Sequence, residues 1–263
     1  MTGSMHGKRG LIMGVANERS IAWGIAKAMA EAGAELAFTY QGEAFGKRLE
    51  PLAASVGSDF MVDVDVTDDA SLDTAFEELG KRWDNIDFVV HAIAYSDKNE
   101  LTGRILNTSR ENFKNSMDIS AYSLIEVTRR AHPLMVEKGG TILTLTYMGS
   151  TRVTPNYNVM GVAKAALEST VRYLANDLGP EGIRVNAISP GPMKTLAGAA
   201  IGGARKTYKH TDQNAPMRAN ATLEAVGGAA VFLASDVGAC TTGEILRVDG
   251  GFHVLGMPQQ DNL

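Results

Sequence analysis

Short runs of aliphatic and β-branched residues alternate along the chain with longer stretches in which apolar positions recur every three or four residues. Residues 10–14 (GLIMG) read as the end of a first strand, and residues 20–33 follow as a helix with Ile21, Ile25, Ala28 and Met29 on one face. Further strands are expected at 35–40 (ELAFTY), 60–66 (FMVDVDV), 86–93 (IDFVVHAI), 141–146 (TILTLT), 184–189 (RVNAIS) and 244–249 (EILRVD). Helices are expected at 44–56, 69–82, 109–137, 157–179 and 222–235, the fourth stopped by Gly179-Pro180. Such alternation gives one α/β domain over 1–263, a doubly wound parallel sheet of about seven strands with helices on both faces, because right-handed crossovers lay a helix over each connection. Residues 190–221 break the pattern. They are turn-rich and weakly periodic yet too apolar for plain disorder, and read either as a lid, centred on 195–210, or as a poorly ordered excursion.

Composition narrows the classes. At 263 residues the chain can bury one continuous core, and 30 acidic against 25 basic residues leave a net charge of -5 with no basic stripe for nucleic acid. One cysteine, Cys240, cannot form an internal disulfide, and no Cys/His spacing suits a metal, so a reducing compartment is expected. Residues 1–10 lack an apolar signal core, and no uncharged run reaches the roughly 18 apolar residues of a membrane span. The expectation is a cytoplasmic protein without a transmembrane segment.

Candidate chemistry centres on Tyr157-Asn-Val-Met-Gly-Val-Ala-Lys164, where Tyr157 and Lys164 stand two turns apart on one helical face. A phenol beside an ammonium can stabilise an oxygen that gains negative charge, although the same spacing also suits a half-buried tyrosine and a solvated lysine. In a doubly wound sheet the ligand crevice lies at the carboxyl ends of the strands, where the strand order reverses. There Gly14 begins a crossover that reaches Ser20, an expected N-cap, then Ile21 and Gly24; the helix start can bind pyrophosphate, or Gly24 can be a packing glycine beside a plain cap. Gln41 ends the second strand and can bond a ribose hydroxyl but cannot neutralise a 2′-phosphate, which favours NADH over NADPH. Asp65 and Val66 suit an adenine pocket or an ordinary exposed strand end, and Ile93, between Ala92 and Ala94, suits close cofactor approach or plain packing. The five histidines form no constellation, and His91 reads as a packing residue rather than a base.

The glycine loop with Ser20-Ile21, the block His91-Ala-Ile-Ala-Tyr95, the run Thr144-Leu-Thr-Tyr147, the Tyr157–Lys164 stretch and Pro190-Gly-Pro-Met-Lys-Thr195-Leu-Ala together resemble the NADH-dependent bacterial enoyl-[acyl-carrier-protein] reductases, a divergent branch of the short-chain dehydrogenase/reductase superfamily with a Rossmann-like fold. The likeness spans essentially the whole chain. Ordinary members of the superfamily carry a serine after the fifth strand where this chain has Tyr147; Thr144 is rejected as its equivalent because it falls within the predicted strand. The resemblance implies reduction of a C=C conjugated to a thioester, with NADH as cofactor, Tyr157 on the thioester oxygen, Lys164 on the nicotinamide ribose and Tyr147 bounding the acyl site. Met193, Lys194, Thr195, Leu196 and Ala197 would lie along the nicotinamide and pyrophosphate, and Tyr95, Ser96, Met160 and Ile201 would meet substrate, though Met160 and Ile201 fit a core equally well. It further implies a homotetramer packed through the long helices 109–137 and 157–179, and an acyl carrier protein as substrate carrier, which Arg205, Lys206, Lys209 and His210 could meet unless they form a solvated loop. A carbonyl reductase of the same superfamily and a non-catalytic nucleotide sensor are the rival readings.

Overall fold

The computed structural model describes residues 3–199 and 201–262. Seven strands, β1 (Arg9–Met13), β2 (Glu35–Tyr40), β3 (Met61–Asp63), β4 (Phe88–His91), β5 (Gly140–Leu145), β6 (Ile183–Pro190) and β7 (Ile245–Val248), form one sheet in the order β3-β2-β1-β4-β5-β6-β7. Every pairing is parallel, so the expected doubly wound architecture is present. The helices are α1 (Ile21–Glu31), α2 (Glu43–Ser55), α3 (Asp69–Arg82), α4 (Lys98–Leu101), α5 (Arg110–Met117), α6 (Ser123–Ala131), α7 (Asn158–Leu178), α8 (Leu196–Ala199), α9 (Ala204–Asn214) and α10 (Leu223–Ala234).

Strand alternation splits the core into two layers. Ile12, Phe38, Phe88 and Val90 point to one face and pack against Ile25 and Met29 of α1 and Val226 of α10. Leu11, Met13, Val89 and Ile142 point to the other and meet Leu72 of α3, Leu124 and Val127 of α6 and Leu167 of α7. Each such side chain, fully buried, contributes about 1.5–3 kcal/mol of transfer free energy. Helices α1 and α10 approach closely because Gly24 and Gly227 lack side chains: a Cβ on Gly24 would stand 2.8 Å from Leu223 Cβ, and one on Gly227 would stand 2.6 Å from Ala28 Cβ and 2.8 Å from the Gly24 carbonyl oxygen. Gly24 is thus a packing glycine.

Several expected elements are corrected. Strand β3 ends at Asp63, with Val64 N–H still bonded to the Tyr40 carbonyl at 2.7 Å, so Asp65 and Val66 lie in the loop beyond it. The expected helix 109–137 is two helices, α5 and α6, joined by a π-helical turn at Asp118–Tyr122 and ending in a 3₁₀ turn, His132–Leu134, that contains Pro133. The wider π-helical turn absorbs the one extra residue, so the apolar positions on either side still face one core and the pattern reads as one helix. Helix α7 stops at Leu178 as expected, although the left-handed residue of the turn is Gly182 (φ 73°), three positions beyond Gly179.

The stretch 190–221 is also more regular than its pattern predicts: β6 runs to Pro190, and α8 and α9 follow. Helix α9 (ARKTYKHTDQN) has almost no apolar stripe and docks through hydrogen bonds instead. Asn214 Oδ1 accepts from Gln259 N–H at 2.8 Å, its carbonyl accepts from Gln259 Nε2 at 2.9 Å, and the Tyr208 carbonyl accepts from Asn220 Nδ2 at 3.1 Å. The proposed lid span 195–210 therefore covers α8 and half of α9, and its Ala200 lies outside the described residues.

Candidate active site

The strand order reverses beside β1, so the carboxyl ends of β1 and β4 open a crevice. Gly14 leaves β1 at φ 92°, and a Cβ there would stand 2.1 Å from the Ala92 carbonyl oxygen; only glycine lets the crossover start this close to β4. Ser20 occupies the N-cap position of α1 with extended backbone, but its hydroxyl donates to the Asn17 carbonyl at 2.6 Å and makes no cap bond. The sequence expectation of a capping side chain is wrong in that detail: the hydroxyl closes the loop, and the N–H groups of the first turn stay available to an anion, as helix starts do. Ile21 follows as the first helical residue, partly buried against the core.

Beyond β2 and β3, Gln41 Nε2 donates to Asp65 Oδ2 at 3.0 Å, so the two residues expected at the adenosine end come together. The Thr67 backbone N–H holds the Asp65 carboxyl below the usual carboxylate range, with further help from the Thr67 hydroxyl and the Gln41 amide and against partial desolvation. Val66 and Ile93 are half-buried neighbours of the α3/α7-side core.

At the opposite end, Tyr157 sits at the N-terminus of α7 and Lys164 two turns on, both buried. Lys164 Nζ donates to the Leu145 carbonyl at 2.7 Å, its one hydrogen-bond acceptor among the described residues, which leaves ammonium donors for two further acceptors. Burial pulls the Lys164 pKa down to about 8, and the charge of Glu168 opposes that fall. Burial, then Tyr147 and Glu168, push the Tyr157 phenol up, so it stays protonated and a donor at neutral pH. Tyr147 follows the end of β5, as expected, and meets the Tyr157 ring edge-on with centroids 5.0 Å apart; burial and then Asp249 push its phenol up to about 12. Thr144 lies inside β5 and donates to the His91 carbonyl at 3.0 Å, which supports its rejection as the serine equivalent. His91 is a buried packing residue between Thr144 Oγ1 (3.1 Å) and Ser123 Oγ (2.8 Å); burial, then the Lys164 charge, lower its pKa to about 3.

Two of the residues expected to meet substrate, Met160 and Ile201, gather around this phenol. Met160, Leu101 and Val159 form a buried apolar cluster with Tyr157, and Ile201 and Tyr147 pack against it. Tyr95 is half exposed, and Ser96 Oγ donates to Asn112 Oδ1 at 3.2 Å. Met193 packs on the α1/α10 core, Lys194 lies over the Tyr208 ring at 4.5 Å, and Thr195 Oγ1 accepts from Gly198 N–H at 2.9 Å, fastening α8; Leu196 and Ala197 face outward.

Four supporting residues were missed in the sequence. Glu168, buried one turn after Lys164, accepts from Thr146 Oγ1 at 2.7 Å and Ser150 Oγ at 2.5 Å; an acid four residues after a lysine on a helix was the available signal. Ser120, in the π-helical turn, donates to the Tyr95 carbonyl at 3.1 Å and accepts its N–H at 3.0 Å, and nothing in the pattern marks it. Asn156 and Asn158 flank Tyr157 with left-handed backbone, a conformation that asparagine tolerates better than most residues.

The model of a family described as enoyl-(acyl carrier protein) reductase matches residues 14–253. Enoyl-[acyl-carrier-protein] reductase [NADH] 2 of Rhizobium meliloti strain 1021 is 58% identical over 263 residues, covering 100% of this chain and 98% of that protein. Among solved structures, FabI of Candidatus Liberibacter asiaticus superposes with a TM-score of 0.96 at 53% identity, covering 98% of this chain and 100% of that one. The enoyl-(acyl-carrier-protein) reductase of Anaplasma phagocytophilum in complex with NAD gives 0.95, also at 53% identity, covering 98% of each chain.

Proposed function

The chain belongs to the enoyl-(acyl carrier protein) reductase family and is an NADH-dependent reductase of enoyl thioesters in fatty acid biosynthesis, and we propose that Tyr157, Lys164 and Tyr147 carry that reaction. The observation that supports this most directly is a buried phenol and a buried ammonium on one face of α7, with Tyr147 rather than a small hydroxyl residue packed against the phenol. The bound nicotinamide supplies a hydride to the β-carbon of the enoyl thioester. Negative charge then gathers on the thioester oxygen, and Tyr157 donates a hydrogen bond to it; a protonated donor in a dry site is worth more than in water. When the α-carbon takes a proton, the enolate electrons return to the thioester carbonyl and the product is saturated. Tyr147 bounds the acyl site from the far side of the phenol and is positioned to take part in that proton delivery. Lys164 binds the ribose hydroxyls with the N–H groups that Leu145 does not use, and holds the local potential positive.

The remaining residues divide along the crevice. Gly14, Ser20 and Ile21 take the pyrophosphate, Gln41 a ribose hydroxyl, Asp65 and Val66 the adenine, and Ile93 and residues 193–197 the nicotinamide side. Tyr95, Ser96, Met160 and Ile201 line the acyl site under a lid at 195–210. Residues 1–263 act as one reductase domain. The substrate arrives on acyl carrier protein, and the exposed Arg205, Lys206, Lys209 and His210 of α9 offer an acidic carrier a basic face. No described helix is long and apolar enough to cross a membrane. A homotetramer would cover the exposed Phe113, Tyr122, Val162 and Tyr173 of the α5–α6 and α7 faces.

Steady-state assay tests the activity: NADH is oxidised with a crotonyl thioester and not with an acetoacetyl thioester. The reverse selectivity would make the chain a carbonyl reductase, and no turnover with either would leave a nucleotide-sensing role.

A further inference from the structure

We infer that Asn156 and Asn158 are positioning residues that fasten the two walls of the acyl cleft to the backbone carrying Tyr157; the inference rests on the reading of Tyr157 as the oxyanion donor. Asn156 has φ 62° and Asn158 φ 39°. Left-handed backbone is costly for any residue with a Cβ, and two such residues around one tyrosine persist only if their surroundings hold them. The side chains supply that hold in opposite directions. Asn156 Nδ2 donates to the Gly202 carbonyl at 2.8 Å, in the segment between α8 and α9. Asn158 Nδ2 donates to the Leu101 carbonyl at 3.0 Å and the Gly103 carbonyl at 3.3 Å, at the end of α4.

The tethered segments carry apolar residues packed around Tyr157. Leu101 itself is buried in the cluster with Tyr157, Val159 and Met160, and Ile201, next to Gly202, packs against that cluster. The walls also touch each other: a Cβ on Gly202 would stand 3.0 Å from Thr102 Cγ2 and 3.3 Å from Asn156 Nδ2. Walls and phenol therefore form one unit. An acyl chain that reaches the phenol passes these two segments, which two amide groups hold to the backbone on either side of Tyr157. A short acyl group needs the phenol and little else; a long one needs both walls in place.

Asn156→Gly and Asn158→Gly remove the tethering amide while keeping the left-handed conformation accessible. Each is assayed with NADH and crotonyl or 2-dodecenoyl thioesters, with NADH affinity by titration and hydrogen exchange of the two segments. The expected result is a roughly tenfold rise in KM for the dodecenoyl thioester, the size of one lost hydrogen bond, with less than about a threefold change for crotonyl and for NADH affinity. Exchange should quicken around 201–207 in Asn156→Gly and around 101–108 in Asn158→Gly, each variant loosening its own wall. Asn156→Asp, which tolerates the same backbone but presents an acceptor to a carbonyl, should be at least as impaired as the glycine variant.

Parental values of dodecenoyl KM and exchange in either glycine variant overturn the inference. So does an equal rise of both thioester KM values and NADH Kd, which would mean general loss of structure, and so does parental behaviour in Asn156→Asp. Turnover by the parent enzyme tests the activity itself, so its absence condemns the functional reading, whereas the variant-to-parent ratios judge the asparagines alone.

Discussion

At one end of the crevice Gln41 and Asp65 meet in partial solvent, joined at 3.0 Å; at the other, Tyr157 and Lys164 keep 7% and 5% of their surface. The first pair lies near the surface, where water competes for each hydrogen bond and a single contact changes binding modestly. The second is governed by burial. Desolvation is the largest influence on Tyr157, Tyr147, Lys164 and His91 alike, whereas backbone hydrogen bonding is the largest on Asp65. A dinucleotide lying along the crevice would be recognised at the wet end and used at the dry one. Substitutions should accordingly have large, salt-insensitive effects near α7 and small, salt-sensitive ones near β2.

Tyr157→Phe bears hardest on that contrast. Loss of the oxyanion donor should lower kcat by about 10²–10³, or about 2.7–4 kcal/mol, and leave NADH affinity nearly intact. A parental rate in this variant would remove Tyr157 from the reaction and with it the argument from burial.

Lys164→Ala comes next, with an expected loss of about 10- to 100-fold in NADH affinity, as suits hydrogen bonds from a charged donor at about 1.5–3 kcal/mol. The same residue predicts a pH dependence. Because burial brings its pKa down to about 8, the cation is present below that value and lost above it, so kcat/KM for NADH should fall as pH rises through about 8. The stability term has the opposite sign. Between about 8 and the ordinary 10.5 the unfolded chain holds the proton that the folded chain has released, so this group's burial penalty is relieved as pH rises. A flat profile across this range would show that the Lys164 charge does no work in the free enzyme.

The smallest effect is expected at the wet end. Gln41→Arg should raise the efficiency with NADPH relative to NADH by a few-fold, about 1 kcal/mol for an exposed charge, and the gain should fade at high salt. If the parent already prefers NADPH, or the gain survives high salt, the adenosine end is not the solvent-screened surface described above.

How far the sequence discloses this contrast depends on what periodicity and residue type can encode. The strands were legible because runs such as LIM, LAF and FVV are buried on both faces. Tyr157 and Lys164 were legible because a helix converts a spacing into a shared face, and Tyr147 because a strand end marks the crevice. The π-helical turn at Asp118–Tyr122 was not, since it takes up one extra residue within a single turn and leaves the apolar positions on both sides facing one core. Helix α9 was not, since it docks by side-chain amides rather than apolar contact. Ser20 was placed at the right position with the wrong bond, because a hydroxyl at a helix start can close the preceding loop as readily as it caps the helix.

The contact between Gly24 and Gly227 puts an order on how this chain can change. At 227 the obstacles to any side chain are Ala28 Cβ at 2.6 Å and the Gly24 carbonyl oxygen at 2.8 Å from where a Cβ would stand, and a main-chain oxygen inside a helix cannot turn aside as a side chain does. At 24 the nearest obstacle is Leu223 Cβ, also at 2.8 Å, which disappears only if residue 223 itself loses its Cβ. A substitution at 24 also meets the Leu223 carbonyl oxygen at 3.2 Å, which no change of side chain at 223 removes, and one at 227 stays blocked for as long as the two helices keep this distance. The route from this sequence to a more loosely packed relative must move a helix before it can change a letter.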